Sequence, residues 1–211
     1  MAVAHKNTAE HVPYTESKAQ RDGKEIDDAL TARLGANILL PEKFAQWEPM
    51  CAMILKTPGT KFTQMKIAFD QAFKTCGYMD WDTAWLRAIY DFAIVNGDHA
   101  FVWDWKNGAI WPDDDQLKLF AATGFHLWPE VDTIDTSLVW LKHGITSDRQ
   151  YRRRELPTMW SELLPDVERM QTSFKANHWP ADPKNGARTC GWCPVNRAGK
   201  CDRAAGPYKG A

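Results

Sequence analysis

The chain has 211 residues, 44% hydrophobic and 25% charged, with a formal net charge of −1. That length supports one substantial hydrophobic core, or one core with a small appendage. The near-zero charge excludes a global attraction to polyanions, so a nucleic-acid contact would have to rest on local basic patches. No apolar run nears the roughly 18 residues of a membrane span, and Met1–His11 lack the apolar stretch of a secretory signal. A cytoplasmic protein making no membrane contact is expected.

Residues 1–13 read as irregular. From about Thr15 to Leu34 a helix is expected, with Ile26, Leu30 and Leu34 at helical spacing and Gly35 placed to end it. A second helix is expected over 42–55, after Leu40-Pro41. Residues 62–70 alternate as a strand, with Phe62, Gln64, Lys66 and Ala68 on one face and Thr63, Met65, Ile67 and Phe69 on the other. A turn at Cys76-Gly77 leads into a hairpin over 85–106. Pro112 and Asp113–Asp115 open a helix over 113–127, acids at its positive end. Thr136–His143 reads as another strand, closed by Gly144. Glu155–Ala176 reads as a long helix in which Pro157 fits the first turn and Pro165 predicts a kink or a break. The order suits an α/β fold, a mixed sheet flanked by helices. Residues 1–176 form its core, and 177–211 a Cys-rich tail packed on the same domain. The eleven tryptophans are read mainly as packing residues, with base stacking the other use open to them.

The hairpin carries the chemistry. Two apolar runs flank Asn96-Gly97, a pair that accepts positive φ and marks a tight turn. Asp104 and Lys106 share one strand face. Two registers are open for Asp91. A two-residue loop pairs Val95 with Asp98 and sets Asp91 opposite Val102. A four-residue loop pairs Val95 with Ala100 and sets Asp91 opposite Asp104. In both, two carboxylates and an ammonium converge within about 5–8 Å. Adjacent carboxylates repel unless a positive charge lies between them, and Mg²⁺ or Mn²⁺ answers that need. The plainer alternative is a solvated hairpin face with a Lys–Asp pair. Phe101, Trp103 and Trp105 on one face, and Ala100 and Val102 on the other, favour a partly buried site.

Cys190, Cys193 and Cys201 fall within one short segment. Cys-x2-Cys is a chelating bite for one metal ion, which the third cysteine can close. His178, Cys51 and Cys76 are the candidates for a fourth ligand; free surface thiols are the alternative. Arg149, Arg152, Arg153 and Arg154 form a basic cluster, a candidate DNA contact or simply a solvated face.

These residues carry a resemblance. Asp91, then Asp104-Trp105-Lys106 with Asn107-Gly108, resemble the GxxD…DxKTG core of the PD-(D/E)XK nucleases. Gln116-Leu117-Lys118-Leu119-Phe120-Ala121 is similar to the QLxxYA helix of the RecB-like exonuclease branch, and the segment from Gly23 to Leu30 to its GxxxHxxLE helix. Cys190-Gly191-Trp192-Cys193-Pro194-Val195 and Cys201 are similar to its iron–sulfur cysteines. Phage exonucleases related to the CRISPR-associated RecB-family nucleases are the most similar group. The resemblance implies a restriction-endonuclease-like sheet with a Cys-rich C-terminal knuckle. It implies a Mg²⁺- or Mn²⁺-dependent DNA exonuclease, acting in phage recombination, repair or genome processing. Asp27, Asp91, Asp104 and the backbone carbonyl of Trp105 would hold the metal. Lys106 would position the attacking water, and Gln116 would orient the lysine or a phosphate. The cysteines would hold an iron–sulfur cluster or Zn²⁺. DNA is the implied partner, with a homo-oligomer or a phage recombination partner left open. The chain departs from the pattern at Asp27, where the family has histidine, and at Gln64, where it has an acid. Phe120 replaces tyrosine, Ala88 replaces glycine, and no cysteine precedes Cys51. A catalytically degenerate protein that binds DNA or a protein partner is the alternative.

Overall fold

The computed structural model describes residues 16, 18–111, 114–178, 189–191 and 193–201. The chain divides into two compact units: one spans Ser17–Glu162, the other takes the chain ends, Met1–Glu16 and Leu163–Ala211.

The first unit is a mixed five-stranded sheet flanked by helices, as the element order implied. Its strands are β1 (Thr60–Phe69), β2 (Leu86–Asn96), β3 (His99–Lys106), β4 (Thr133–Trp140) and β5 (Ile145–Arg152), in spatial order 1-2-3-4-5. All neighbours are antiparallel except β3 and β4. A parallel pair needs a crossover, which helix α3 (Asp114–Leu127) supplies. Helices α1 (Lys18–Ala36) and α2 (Glu48–Lys56) cover one face. Ile26, Leu30, Leu34, Cys51 and Ile54 pack there against Phe92, Ile94, Trp105, Val139 and Leu141. On the other face Leu117 of α3 packs against Leu138 and Trp140. Among the described residues no helix is long and apolar enough to cross a membrane.

Several boundaries differ from expectation for identifiable reasons. Gly35 does not end α1. It stays helical, and its glycine answers close packing instead: a Cβ there would come within 2.9 Å of Thr63 Oγ1. Asn37 ends the helix instead, at φ 56, and the Ile38 N–H bonds back to Ala32 O at 3.3 Å, a left-handed closure that asparagine tolerates. The expected helix over 42–55 is a 3₁₀ segment, Glu42–Trp47, joined to α2, with Pro49 in the first turn of α2. Pro112 and Asp113 lie outside the described residues. Helix α4 (Leu156–Lys175) runs through Pro165 without a break. Strand β5 was not foreseen. It is an exposed polar edge with no apolar stripe to betray it.

Gly59 closes the turn into β1 at φ 124, where a Cβ would meet Val95 O at 2.5 Å and Ile94 Cγ2 at 2.8 Å. Backbone and core leave that atom no room. Gly59→Ala is expected to lower unfolding free energy by roughly 2 kcal/mol or more, read as a lower urea midpoint at unchanged slope.

Candidate active site

The hairpin register is fixed by its turn. Asn96 pairs with His99 and Val95 with Ala100. The two loop residues are therefore Gly97 and Asp98; the Val95–Ala100 pairing is the second of the two expected registers, with Asn96 and His99 closing the ladder instead of joining the loop. Gly97 has φ 62, while Asp98 is not among the residues of positive φ, the pattern of a turn with glycine at its first central position. Extended along the strands, this register sets Asp91 opposite Asp104.

Regular strand geometry fails at that point, so simple alternation did not describe it. Tyr90 turns toward α3, its hydroxyl 3.0 Å from Phe120 O and 2.7 Å from Thr123 Oγ1. Phe92, two residues on, packs on the opposite face with α1 and α2. Residues two apart on a regular strand share a face, so sidedness inverts across Asp91. The neighbouring strand matches: Gln64 and Asp91 are absent from an otherwise continuous β1–β2 pairing, and Gln64 sits at φ 47. The expected division of β1 into two alternating faces therefore holds only on either side of Gln64. The β2–β3 pairing likewise stops at Phe92–Trp103. Freed from the ladder, the Asp91 carboxylate accepts the Trp105 N–H at 2.8 Å.

This discontinuity opens a cleft of about 360 Å³ lined by Asp27, Asp91, Asp104 and Trp105, with Lys24 and Asn107. Asp104 is buried. Its Oδ2 pairs with Lys106 Nζ at 2.6 Å and its Oδ1 accepts from Gln116 Nε2 at 3.1 Å. The Gln64 amide reaches both other acids, at 3.2 Å from Asp27 Oδ1 and 3.5 Å from Asp91 Oδ1. Burial, and then the neighbouring Asp104 charge, push the Asp91 carboxyl up to about 7; the Trp105 N–H pulls the other way. Asp27 is also raised, first by burial, then by Asp28 and Asp104.

Oxygen donors that raise one another's pKa are a donor set for a hard cation. Among the described residues, no three His, Cys, Asp or Glu side chains form a ready ligand group. Each carboxylate has an internal partner instead: Lys106 and Gln116 hold Asp104, the Trp105 N–H holds Asp91, and Gln64 spans Asp27 and Asp91. A cation would displace internal donors from carboxylates already gathered. Lys24, which lines the cleft, and Thr31, whose Oγ1 accepts from Gln64 Nε2 at 3.3 Å, were not singled out from the sequence. Their spacing from Asp27 on one helix face was the available signal.

The arginines have different fates. Arg153 binds the end of α3: its Nε reaches Val131 O at 2.8 Å, Nη1 reaches Phe125 O at 3.0 Å, and Nη2 reaches Trp128 O at 2.6 Å. That is a structural commitment, with a cation at a helix C-terminus. Arg153→Ala should cost about 2–3 kcal/mol, because buried carbonyls lose charged donors, and a melting comparison would register it. Arg149 and Arg152 are exposed on β5, paired with Asp114 and Thr133 respectively, and Arg154 is exposed.

Cys51 is fully buried in the α1–α2 core, its thiol pushed up to about 11 by burial. It is a packing residue and not an available fourth ligand. Cys76 is half-buried in the loop before β2. In the second unit, the Cys193 N–H bonds Cys190 O at 3.3 Å and Cys193 caps the short helix α5 (Pro194–Arg197). His178 follows α4, its N–H bonded to Ser173 O. Trp192 lies outside the described residues. No disulfide joins any of the five cysteines.

No family model and no curated protein matches the chain. A solved structure, "Crystal structure of SSO0001", is similar at 12% identity and TM-score 0.39, covering 97% of this chain and 96% of that one. A likeness this distant says nothing of what the chain does.

Proposed function

We propose that the chain is a Mg²⁺- or Mn²⁺-dependent nuclease that hydrolyses phosphodiester bonds in DNA, on the PD-(D/E)XK pattern. One observation carries this reading: at a break in strand pairing, Asp91 and Asp104 line one cleft, with Lys106 bound to Asp104. Asp27, Asp91, Asp104 and the Trp105 carbonyl would hold the metal, which supplies Lewis-acid polarisation and a more acidic bound water. Lys106 orients the attacking water and faces the negative charge that develops on the phosphate. Gln116 fixes the Asp104 rotamer. Exonucleolytic attack in phage recombination, repair or genome processing is the finer form of the proposal. It is tested by incubating end-labelled linear DNA with Mn²⁺ and with EDTA. Release of short products only with metal supports the reading, and intact DNA under both conditions defeats it.

The Gln64 amide favours a second reading, a protein that has lost catalysis and binds DNA or a protein partner. An uncharged donor now spans two acids at a position where the resembled family carries an acid. Calorimetric titration with Mn²⁺ separates the two: no binding dependent on Asp91 and Asp104 favours the degenerate protein. For the tail, an iron–sulfur cluster or Zn²⁺ on Cys190, Cys193 and Cys201 remains a proposal that metal analysis of the purified protein decides.

A further inference from the structure

The sheet face that carries Asp91 continues past the helical cover. Tyr90 points to α3, so alternation sends Ile89 and Arg87 to the other face together with Asp91. Lys66 pairs with Ile89, and Ala68 with Arg87, so Lys66 shares that face too. The α1–α2 core cluster takes Phe92 and Ile94 of β2 but neither Ile89 nor Arg87. The loop between β1 and β2 lies over this stretch instead. The Arg87 guanidinium stacks 3.4 Å from the Trp81 ring centroid and 5.8 Å from that of Tyr78, and Lys66 Nζ lies 5.8 Å from the same Tyr78 ring. Trp81 remains 72% exposed. The Asp80 carboxylate, exposed in the same loop, accepts the Thr83 N–H of its own turn at 3.2 Å.

A large aromatic ring on the surface, held by a cation and not by the core, has a clear physical use. Unpaired bases stack on exposed rings, and neighbouring cations follow the phosphates. Four residue steps of strand lead from Arg87 to Asp91, about 13 Å of extended chain, so the platform runs along one strand into the acidic cleft. The cations of this stretch can follow a polyanion's phosphates toward the cleft carboxylates, with the Asp80 charge beside Arg87 opposing them. We infer that Tyr78, Trp81, Arg87 and Lys66 form a landing platform for single-stranded DNA that leads into the Asp91 cleft. The choice of DNA as occupant rests on the nuclease reading.

The test measures binding without cleavage. The full chain in EDTA is titrated against a labelled oligothymidylate of about ten nucleotides, within the span such grooves cover, and read by fluorescence anisotropy. Trp81→Ala should weaken binding about ten-fold or more, while Trp81→Phe keeps most of it. Lys66→Ala should flatten the salt dependence by somewhat under one unit of slope. Equal affinity for wild type and Trp81→Ala overturns the platform, as does a duplex that competes as well as the single strand. Absence of single-strand binding by the wild type overturns it as well. Trp81-dependent binding by a protein that cleaves nothing supports the platform and sinks only the nuclease reading.

Discussion

Lys106→Ala should lower Mn²⁺-dependent cleavage of linear DNA by about 10²–10³-fold, the range seen when one preorganised donor to a developing charge is removed. The same change should tighten Mn²⁺ binding. In the metal-free site, Asp104 Oδ2 is paired with Lys106 at 2.6 Å, so a cation competes with an internal ammonium for that carboxylate. Removing the ammonium removes the competitor. Each 1.4 kcal/mol of lost competition is about ten-fold in affinity, and a partly buried pair of this kind supports a gain of about that size. The opposed signs are diagnostic, because a lysine that merely holds the fold together would lower activity and metal affinity alike. The variant must stay folded. Lys106 keeps about a third of its side chain in solvent, and Gln116 remains on Asp104, so a loss of about 1–3 kcal/mol is the expected ceiling. Calorimetry with Mn²⁺ beside a cleavage assay decides the matter; weaker metal binding together with weaker cleavage would defeat the role given to Lys106.

The gathering of Asp91, Asp104 and Lys106 was legible because hairpin arithmetic is local. Both registers open to the hairpin bring Asp91 near Asp104, and Asp104 and Lys106 share a face of β3. The mixed sheet between helices was legible for the same kind of reason, through helical spacing in α1 and the apolar runs of β2 and β3. What stayed hidden depends on tertiary context. Nothing in the sequence around Gln64 announces a left-handed residue that inverts the sidedness of two strands. A polar edge such as β5 has no buried stripe to give it a period. Arg153 looks like its neighbours Arg152 and Arg154 in sequence, and only the folded end of α3 makes it a structural cation. Cys51 looked available as a ligand until the α1–α2 core closed over it.

Metal-free protein should lose stability as pH rises from about 4 to about 7, and Asp91→Asn should remove most of that loss. The sign follows from the direction of the shift. Asp91 has a carboxyl pushed up to about 7 in the folded protein against an ordinary value of 3.8. Between those values the folded state keeps a proton that the unfolded state releases. Stability therefore falls with rising pH through that window and levels off above it. Asp27, raised in the same direction, adds to the slope. A shift of this size corresponds to an upper bound on the order of 4 kcal/mol, and about 2–3 kcal/mol is expected once residual solvent access is allowed for. Urea midpoints in EDTA at pH 4.5, 6 and 7.5 would trace the curve. Adding Mn²⁺ at the highest pH should restore about 2.7 kcal/mol when the ion is at a hundred times its dissociation constant, because the cation takes the place that the proton held. Asp91→Asn, stabilised at neutral pH and indifferent to Mn²⁺, would show that one carboxylate carries both effects. A flat profile in the wild type, or an equal slope in the variant, would mean that neither burial nor the neighbouring acids press on the Asp91 carboxylate, and the case for a cation among those acids would fall with that result.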